Sequence, residues 1–499
     1  MGTNWEELKT RLAEARAVEE AMILFEWDNE TLAPAGAMEL TAKTMERLSG
    51  IYFRMMTDPR MGELFESCRE EALTPEQQAA VREGKKKREE LAGIPREEYE
   101  AYSGLTARAS AVWAKARSMK DFDLFAPVLE EILSYKKRFA SYRAKEGQAL
   151  YDVMLDEFEE GFSMEKLDRF FHQLKAEIVP LIKRIREEGR HCPADFLEGD
   201  YSEEKQEKLG RFLAQYVGFD FERGVMAVSA HPFTTALHNR DVRLTTHYDR
   251  WVDHSIFSVI HESGHGIYEQ GIGDSLTGTP AGEGASMGMH ESQSRFFENM
   301  IGRNRAFWEP VYPEVQKLFP DQLGNVSLEE FYRAINRAEP GPIRIDADEL
   351  TYSLHIMIRY ELEKGLVAGD IGVADLPGLW NEKYEEYLGV RPKDVSEGVL
   401  QDIHWSQGSM GYFPSYALGS AFAAQIYAHM AEEMDMDGLL RAGRLDMIRE
   451  YLREHIHRFG KMKTSRELLK ETTGKEFDPG FYIDYLKEKF CRIYGLDGE

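Results

Sequence analysis

Residues 251–269 read WVDHSIFSVIHESGHGIYE. Ile256, Val259, Ile260, Ile267 and Tyr268 recur at the three- and four-residue intervals of a packed helix. His261 and His265 stand four residues apart, so on a helix both imidazoles leave the same face one turn apart. Glu262 follows the first of them, within reach of a water activated there. This H-E-x-x-H pattern is that of a helix carrying two metal ligands and a carboxylate base. Alone it arises by chance in roughly one chain in twenty of this composition. The bland alternative is two histidines hydrogen-bonded to their neighbours. Gly264 inside the helix costs on the order of 1 kcal/mol relative to Ala.

A third ligand is needed, because catalytic zinc sites of this kind use two His and one Glu and keep a position for water. Downstream, Met289-His290-Glu291-Ser292-Gln293-Ser294 opens a second helical run through Phe296, Phe297 and Met300. Glu291 is the preferred third ligand, and His290, Ser292 and Gln293 are placed to orient ligands from behind. The connector, residues 271–288, is rich in glycine and reads as a mobile loop. It carries a rival ligand, Glu283, on a less rigid mount. Glu269 lies on the same helix as the histidines and is expected to be a solvated charge.

The rest of the chain is compatible with such an enzyme. It has 499 residues, 42% of them hydrophobic, enough for a large core. With 62 Lys+Arg against 88 Asp+Glu the net charge is −26, which disfavours nucleic acid and anionic membranes as partners. Three cysteines at long spacings, with no CxxC pair, argue against a disulfide framework or a thiolate metal site. No signal peptide and no run of eighteen apolar residues is visible, so a cytoplasmic protein is expected.

Helical periodicity covers residues 4–22, 122–143, 164–189, 202–216, 328–337, 347–366, 417–434 and 439–459. Residues 74–119 read as a long exposed helical hairpin. Its basic cluster Lys85-Lys86-Lys87-Arg88 is interleaved with acids and reads as a solvated face. Strand signals are few: Asp241 to Thr246, and Pro342 to Asp346. The expected class is mainly α with one small β-sheet, as one continuous body.

Several motifs in one order resemble the thermostable metallocarboxypeptidases of the carboxypeptidase Taq family. They are His231-Pro232-Phe233, Asp241-Val242-Arg243-Leu244-Thr245, His261 to His265, His290-Glu291-Ser292-Gln293, Ile343-Arg344-Ile345-Asp346-Ala347-Asp348, and Gly398-Val399-Leu400-Gln401-Asp402-Ile403-His404-Trp405. The resemblance extends over the whole chain. It implies a neurolysin-like gluzincin fold, mainly α, with a deep active-site groove. It implies a single domain over residues 1–499, with a helical part of about 1–225 as groove wall and a catalytic part of about 226–499. It also implies zinc, or cobalt as a substitute, a homodimer, and removal of C-terminal residues from peptides with broad specificity. His261, His265 and Glu291 are then the metal ligands and Glu262 the base.

Other roles follow from residue chemistry beside that resemblance. A carboxypeptidase must recognise a free carboxylate, and a planar guanidinium suits it. Arg344 is the first choice, its alternative being a structural pair with Asp346 or Asp348. Arg243 is the second choice, its alternative being a pair with Asp241. His404 and the tyrosines are the expected oxyanion donors, Tyr412 as first choice and Tyr416 as second, the alternative being that one tyrosine only packs the groove wall. His231 either holds a substrate carbonyl or caps a turn. Trp405 is expected in the core or the groove wall. His254, His355, His455 and His457 are read as structural or solvated. The competing reading is an oligopeptide endopeptidase on the same metal-site fold.

Overall fold

The computed structural model describes residues 4–496. It is mostly helical, with one three-stranded sheet. The chain divides into two compact units, each assembled from three separate segments.

The first unit contains Met1–Ala92, Pro193–Ile335 and Ile426–Glu476. Its centre is the helix Val252–Gly271. Fifteen of that helix's residues are buried, on every side of it. A helix enclosed all round must be apolar or internally hydrogen-bonded throughout, and the sequence 251–269 meets that demand. One side packs on the sheet, formed by β1 (Gly224–Val228), β2 (Thr234–His238) and β3 (Asp241–Thr246). The order is β1-β3-β2, with β3 parallel to β1 and antiparallel to β2. Val242 and Leu244 of β3 are fully buried. The helices Glu203–Val217 and Met287–Arg295 cover other sides.

The second unit contains Gly93–Cys192, Asn336–Gln425 and Phe477–Glu499. It has its own enclosed helix, Tyr352–Ala368, in which Arg359 and Glu363 are completely buried.

Most sequence-predicted helices are present, with differences that have local causes. The expected hairpin at 74–119 is two helices, Pro75–Ala92 and Arg96–Met119, belonging to different units. Lys85 of its basic cluster pairs with Glu66 and Glu89, as interleaved charges should. The helix expected at 439–459 is broken into Met436–Arg441 and Leu445–His455, with Gly443 at positive φ between them. The helix expected from residue 347 begins at Tyr352, because Asp348 accepts from the main-chain N–H groups of Leu350 and Thr351 and holds a turn there. Pro342 to Asp346 is not a strand. Pro342 has no N–H to give a ladder, and the Arg344 N–H is spent on the Gln401 side chain at 2.8 Å. Strands β1 and β2 were not legible as strands. No helix among the described residues is long and apolar enough to cross a membrane, and no disulfide joins Cys68, Cys192 or Cys491.

Candidate metal centre and active-site residues

His261 and His265 leave the enclosed helix one turn apart, and Glu291 approaches them from the helix Met287–Arg295. The Glu291 Oε2 lies 3.6 Å from His261 Nε2 and 3.4 Å from His265 Nε2. One ligand atom from each of the three residues lies within 4.8 Å of the others. The two helices come this close because Gly264 has no side chain. A Cβ there would lie 2.7 Å from both the Gln293 carbonyl oxygen and the Ser294 Cα. The propensity cost of Gly264 is therefore the condition for bringing Glu291 to the histidines.

The groups behind the ligands fix their tautomers. His261 Nδ1 is 2.8 Å from Glu298 Oε2, and a carboxylate can only accept, so Nδ1 carries the proton. On the other side, His290 Nε2 donates to Glu269 Oε1 at 2.8 Å, which leaves His290 Nδ1 as an acceptor. It receives the Nδ1 proton of His265 across 2.6 Å. In its neutral form each histidine presents a bare Nε2 to Glu291. Burial lowers the pKa of His261, but Glu291 and Glu298 outweigh it and raise it, so an ion binding there displaces a proton. Arg295 ties the two sides together, binding Glu291 Oε1 at 2.7 Å and Glu298 Oε2 at 3.0 Å. Burial pushes the Glu291 carboxyl up, but Arg295 and the two histidines outweigh it and hold it well below the usual range. Burial likewise pushes His265 down to about 3, so this imidazole is neutral. Two bare imidazole nitrogens and one ionised carboxylate oxygen fit a first-row divalent ion.

Glu262 is buried beside this set. Its Oε2 accepts from the Thr234 hydroxyl of β2 at 2.6 Å. Burial raises its pKa, with His261 and the Thr234 bond acting against it. A carboxylate lifted in this way is a better base than a solvated one.

Two acidic residues sit differently from the sequence expectation. Glu269 is 7% exposed and receives His290, so it is not a solvated charge. The signal for it was present: residues 261, 265 and 269 form one stripe at four-residue intervals. Glu283 lies outside the ligand set. It is held by Arg16 at 2.9 Å, Lys87 at 3.0 Å and Lys461 at 2.7 Å, so the glycine-rich connector is anchored at its middle. Arg295 and Glu298 were missed, although they follow Glu291 at helical spacing.

Within the same unit, Arg243 forms a two-point pair with Asp241, at 2.8 and 2.7 Å. The His231 side chain is exposed, and its main-chain carbonyl accepts from Ser229 at 2.6 Å. His457 Nε2 donates to the side-chain oxygen of Gln293, two residues beyond Glu291, at 2.8 Å.

The second unit gathers the remaining residues singled out in the sequence. Arg344 is buried, and its carboxylate partner is Asp402: Nε and Nη2 both lie 2.9 Å from Oδ1. Its Nη1 donates to the Tyr352 hydroxyl at 3.1 Å. Arg359, fully buried, takes the other oxygen of Asp402 at 2.7 Å. Two guanidinium groups therefore share one carboxylate, and the cluster carries a net positive charge. Burial pushes Asp402 up, but Arg344 and Arg359 hold it well below the usual range. His404 Nε2 is 3.1 Å from the Tyr416 hydroxyl. Its Nδ1 is buried and has no hydrogen-bond partner among the described residues. Burial and the nearby Arg344 push His404 down to about 3, so it is neutral. The Tyr412 ring packs edge-on against Tyr416 and Phe158, at 5.1 and 5.2 Å. Trp405 is buried, as expected, and donates its indole N–H to Glu363 at 2.8 Å.

A helical body with two histidines, a glutamate and a neighbouring carboxylate base defines a metallohydrolase of the H-E-x-x-H kind. Residues 7–490 match the carboxypeptidase Taq (M32) metallopeptidase family, and the chain belongs to that family. It is 43% identical to carboxypeptidase 1 of Bacillus subtilis over 481 residues, 96% of each chain. It is 36% identical to thermostable carboxypeptidase 1 of Thermus thermophilus, over 94% of each chain. The crystal structure of an M32 carboxypeptidase from Deinococcus radiodurans superposes with a TM-score of 0.96 at 36% identity, covering 99% of this chain and 100% of that one.

Proposed function

We propose that the chain is a zinc-dependent carboxypeptidase that releases single residues from peptides with a free C-terminal carboxylate. The observation that carries the reading is the convergence of His261, His265 and Glu291 with bare donor atoms, next to a buried Glu262. A divalent ion bound there supplies Lewis-acid polarisation of the scissile carbonyl and makes water more acidic. Glu262 accepts the proton of the attacking water and passes it to the leaving amine. Thr234, bonded to its Oε2, keeps the carboxylate aimed. By resemblance to the family, His404 and Tyr412 are assigned as donors to the carbonyl oxygen as negative charge builds on it. His404 Nδ1 is buried, so its Nε2 must exchange the Tyr416 hydroxyl for the substrate oxygen. The neutral state of His404 suits a hydrogen-bond donor at ordinary pH.

Arg344 is assigned to the terminal carboxylate. The excess of one positive charge in the Arg344–Asp402–Arg359 cluster supports this, because a buried unneutralised cation gains from a second anion. Arg243 and His231 have secondary substrate-binding roles at most, since Arg243 is already paired. Cobalt as a substitute ion, a homodimer, a single domain over the whole chain and a cytoplasmic location complete the proposal by resemblance to the family.

The test is digestion of matched peptides with free and amidated C-termini, with metal analysis of the same sample. A carboxypeptidase loses nearly all activity on the amide. An endopeptidase on the same metal site loses little, and that result would replace this reading.

A further inference from the structure

The helix Tyr352–Ala368 carries a carboxylate that none of these roles uses. Glu363 is completely buried, and no Lys, Arg or His among the described residues pairs with it. Three donors converge on it instead. The indole N–H of Trp405 reaches Oε1 at 2.8 Å. The Gly411 main-chain N–H and the Tyr151 hydroxyl reach Oε2 at 2.8 and 2.7 Å.

The placement of two of these donors is the informative point. Trp405 directly follows His404, and Gly411 directly precedes Tyr412. One carboxylate therefore joins the two ends of the intervening segment. That segment is a single short 3-10 helix, His404–Gln407, closed by Gly408 N–H to Trp405 O and Ser409 N–H to His404 O, followed by turns up to Pro414. Gly411 itself has φ +90°, and a Cβ there would lie 2.7 Å from the Met154 carbonyl oxygen. Its N–H is thus locked against the helix that also presents Tyr151.

The charge state fits a group kept for a purpose other than stability. Burial pushes the Glu363 carboxyl up to about 7, against the three donors and the more distant Lys136. Lys136 is itself committed to Glu157 at 2.9 Å. An amide or an apolar side chain would avoid that cost of ionisation, but neither accepts from both N–H groups at once.

We propose that Glu363 is a positioning residue for peptide hydrolysis: it staples Trp405 to Gly411 and so fixes the His404 and Tyr412 side chains that flank them. The proposal rests on the reading of His404 and Tyr412 as oxyanion donors. It is tested with the metal-loaded enzyme and an N-blocked dipeptide, comparing wild type, Glu363→Gln, Tyr412→Phe and the double variant. Misplacing the donors by a fraction of an ångström lowers kcat of Glu363→Gln by about 10- to 100-fold. KM stays within about twofold and metal content is unchanged, because neither the carboxylate site nor the ligands are touched. In the Tyr412→Phe background the same change has a smaller effect, since one of the two groups being positioned is gone. A Glu363→Gln variant with wild-type kcat, or one whose loss multiplies undiminished with Tyr412→Phe, overturns the proposal. If Tyr412→Phe and His404→Ala both keep wild-type kcat, the donor reading fails and takes this proposal with it. If they lose kcat while Glu363→Gln does not, only the positioning role is lost. Should Glu363→Gln not fold, Trp405→Phe removes one of the three bonds. It is expected to lower kcat about fivefold at constant KM, and an unchanged kcat there overturns the proposal as well.

Discussion

Replacing Gly264 by Ala sets two well-characterised effects against each other. Helix propensity alone makes Gly264→Ala stabilising by about 1 kcal/mol. The new Cβ, however, meets the Gln293 carbonyl oxygen and the Ser294 Cα at 2.7 Å. Both obstacles are main chain, so neither can rotate away. Ordinary contact begins near 3.4 Å, so the Met287–Arg295 helix must retreat by about 0.7 Å. Overpacking of this kind costs about 1–3 kcal/mol, which cancels or exceeds the propensity gain. The larger consequence concerns the metal, because Glu291 rides on the helix that retreats. Metal–ligand distances tolerate about 0.2 Å, so a displacement several times larger should weaken zinc binding by at least about tenfold. Chelator competition on the folded protein measures the affinity, and thermal unfolding of the metal-free form measures the packing cost. A metal-free variant that is more stable than wild type, with unchanged zinc affinity, would refute the close-approach reasoning.

Other outcomes follow from the same geometry. Glu262→Gln keeps its metal and loses about two to four orders of magnitude in kcat, since only the base is removed; metal content and turnover are measured on one preparation. His290→Ala breaks the chain from His265 to Glu269 and should weaken zinc binding about 10- to 100-fold while leaving the three ligands in place. Arg344→Ala leaves Asp402 still paired with Arg359, so the fold survives with a modest fall in Tm while KM for a free C-terminus rises steeply; general unfolding would mark Arg344 as purely structural. Glu363, raised by burial to about 7 in the folded state, favours the folded state at low pH. Its contribution is full below about pH 4.5 and is lost as pH rises through about 7, a change of about 3 kcal/mol that Glu363→Gln removes from the pH dependence of unfolding.

How far the sequence reaches depends on the range of the interaction. The candidate metal site was legible as a group of residues because its spacing is set by one helical turn: His261, Glu262 and His265 are local. Glu291 needed only the idea of a neighbouring helix. The capping box at the start of the Leu328–Ile335 helix is of the same short range, with reciprocal bonds between Ser327 and Glu330 at 2.8 and 3.2 Å. What escaped was long-range pairing. Nothing near Arg344 names Asp402, 58 residues away, as its partner. Glu269 was misjudged because a charge on a helix is normally solvated, and only the arrival of His290 from another segment makes it a buried acceptor. The strands β1 and β2 are short, and Gly-Val-Met-Ala-Val carries no alternation; it becomes a strand because β3 lies beside it. Glu363 looked like any helical glutamate.

The seam at Gly264 also bears on how the protein lives with its metal. Ligand spacing there is set by two backbones in contact, not by side chains that must be gathered by an ion. The empty and loaded forms then differ little in shape, and loading needs no folding step. Such a protein can surrender its ion when supply falls and recover it later from the same folded population.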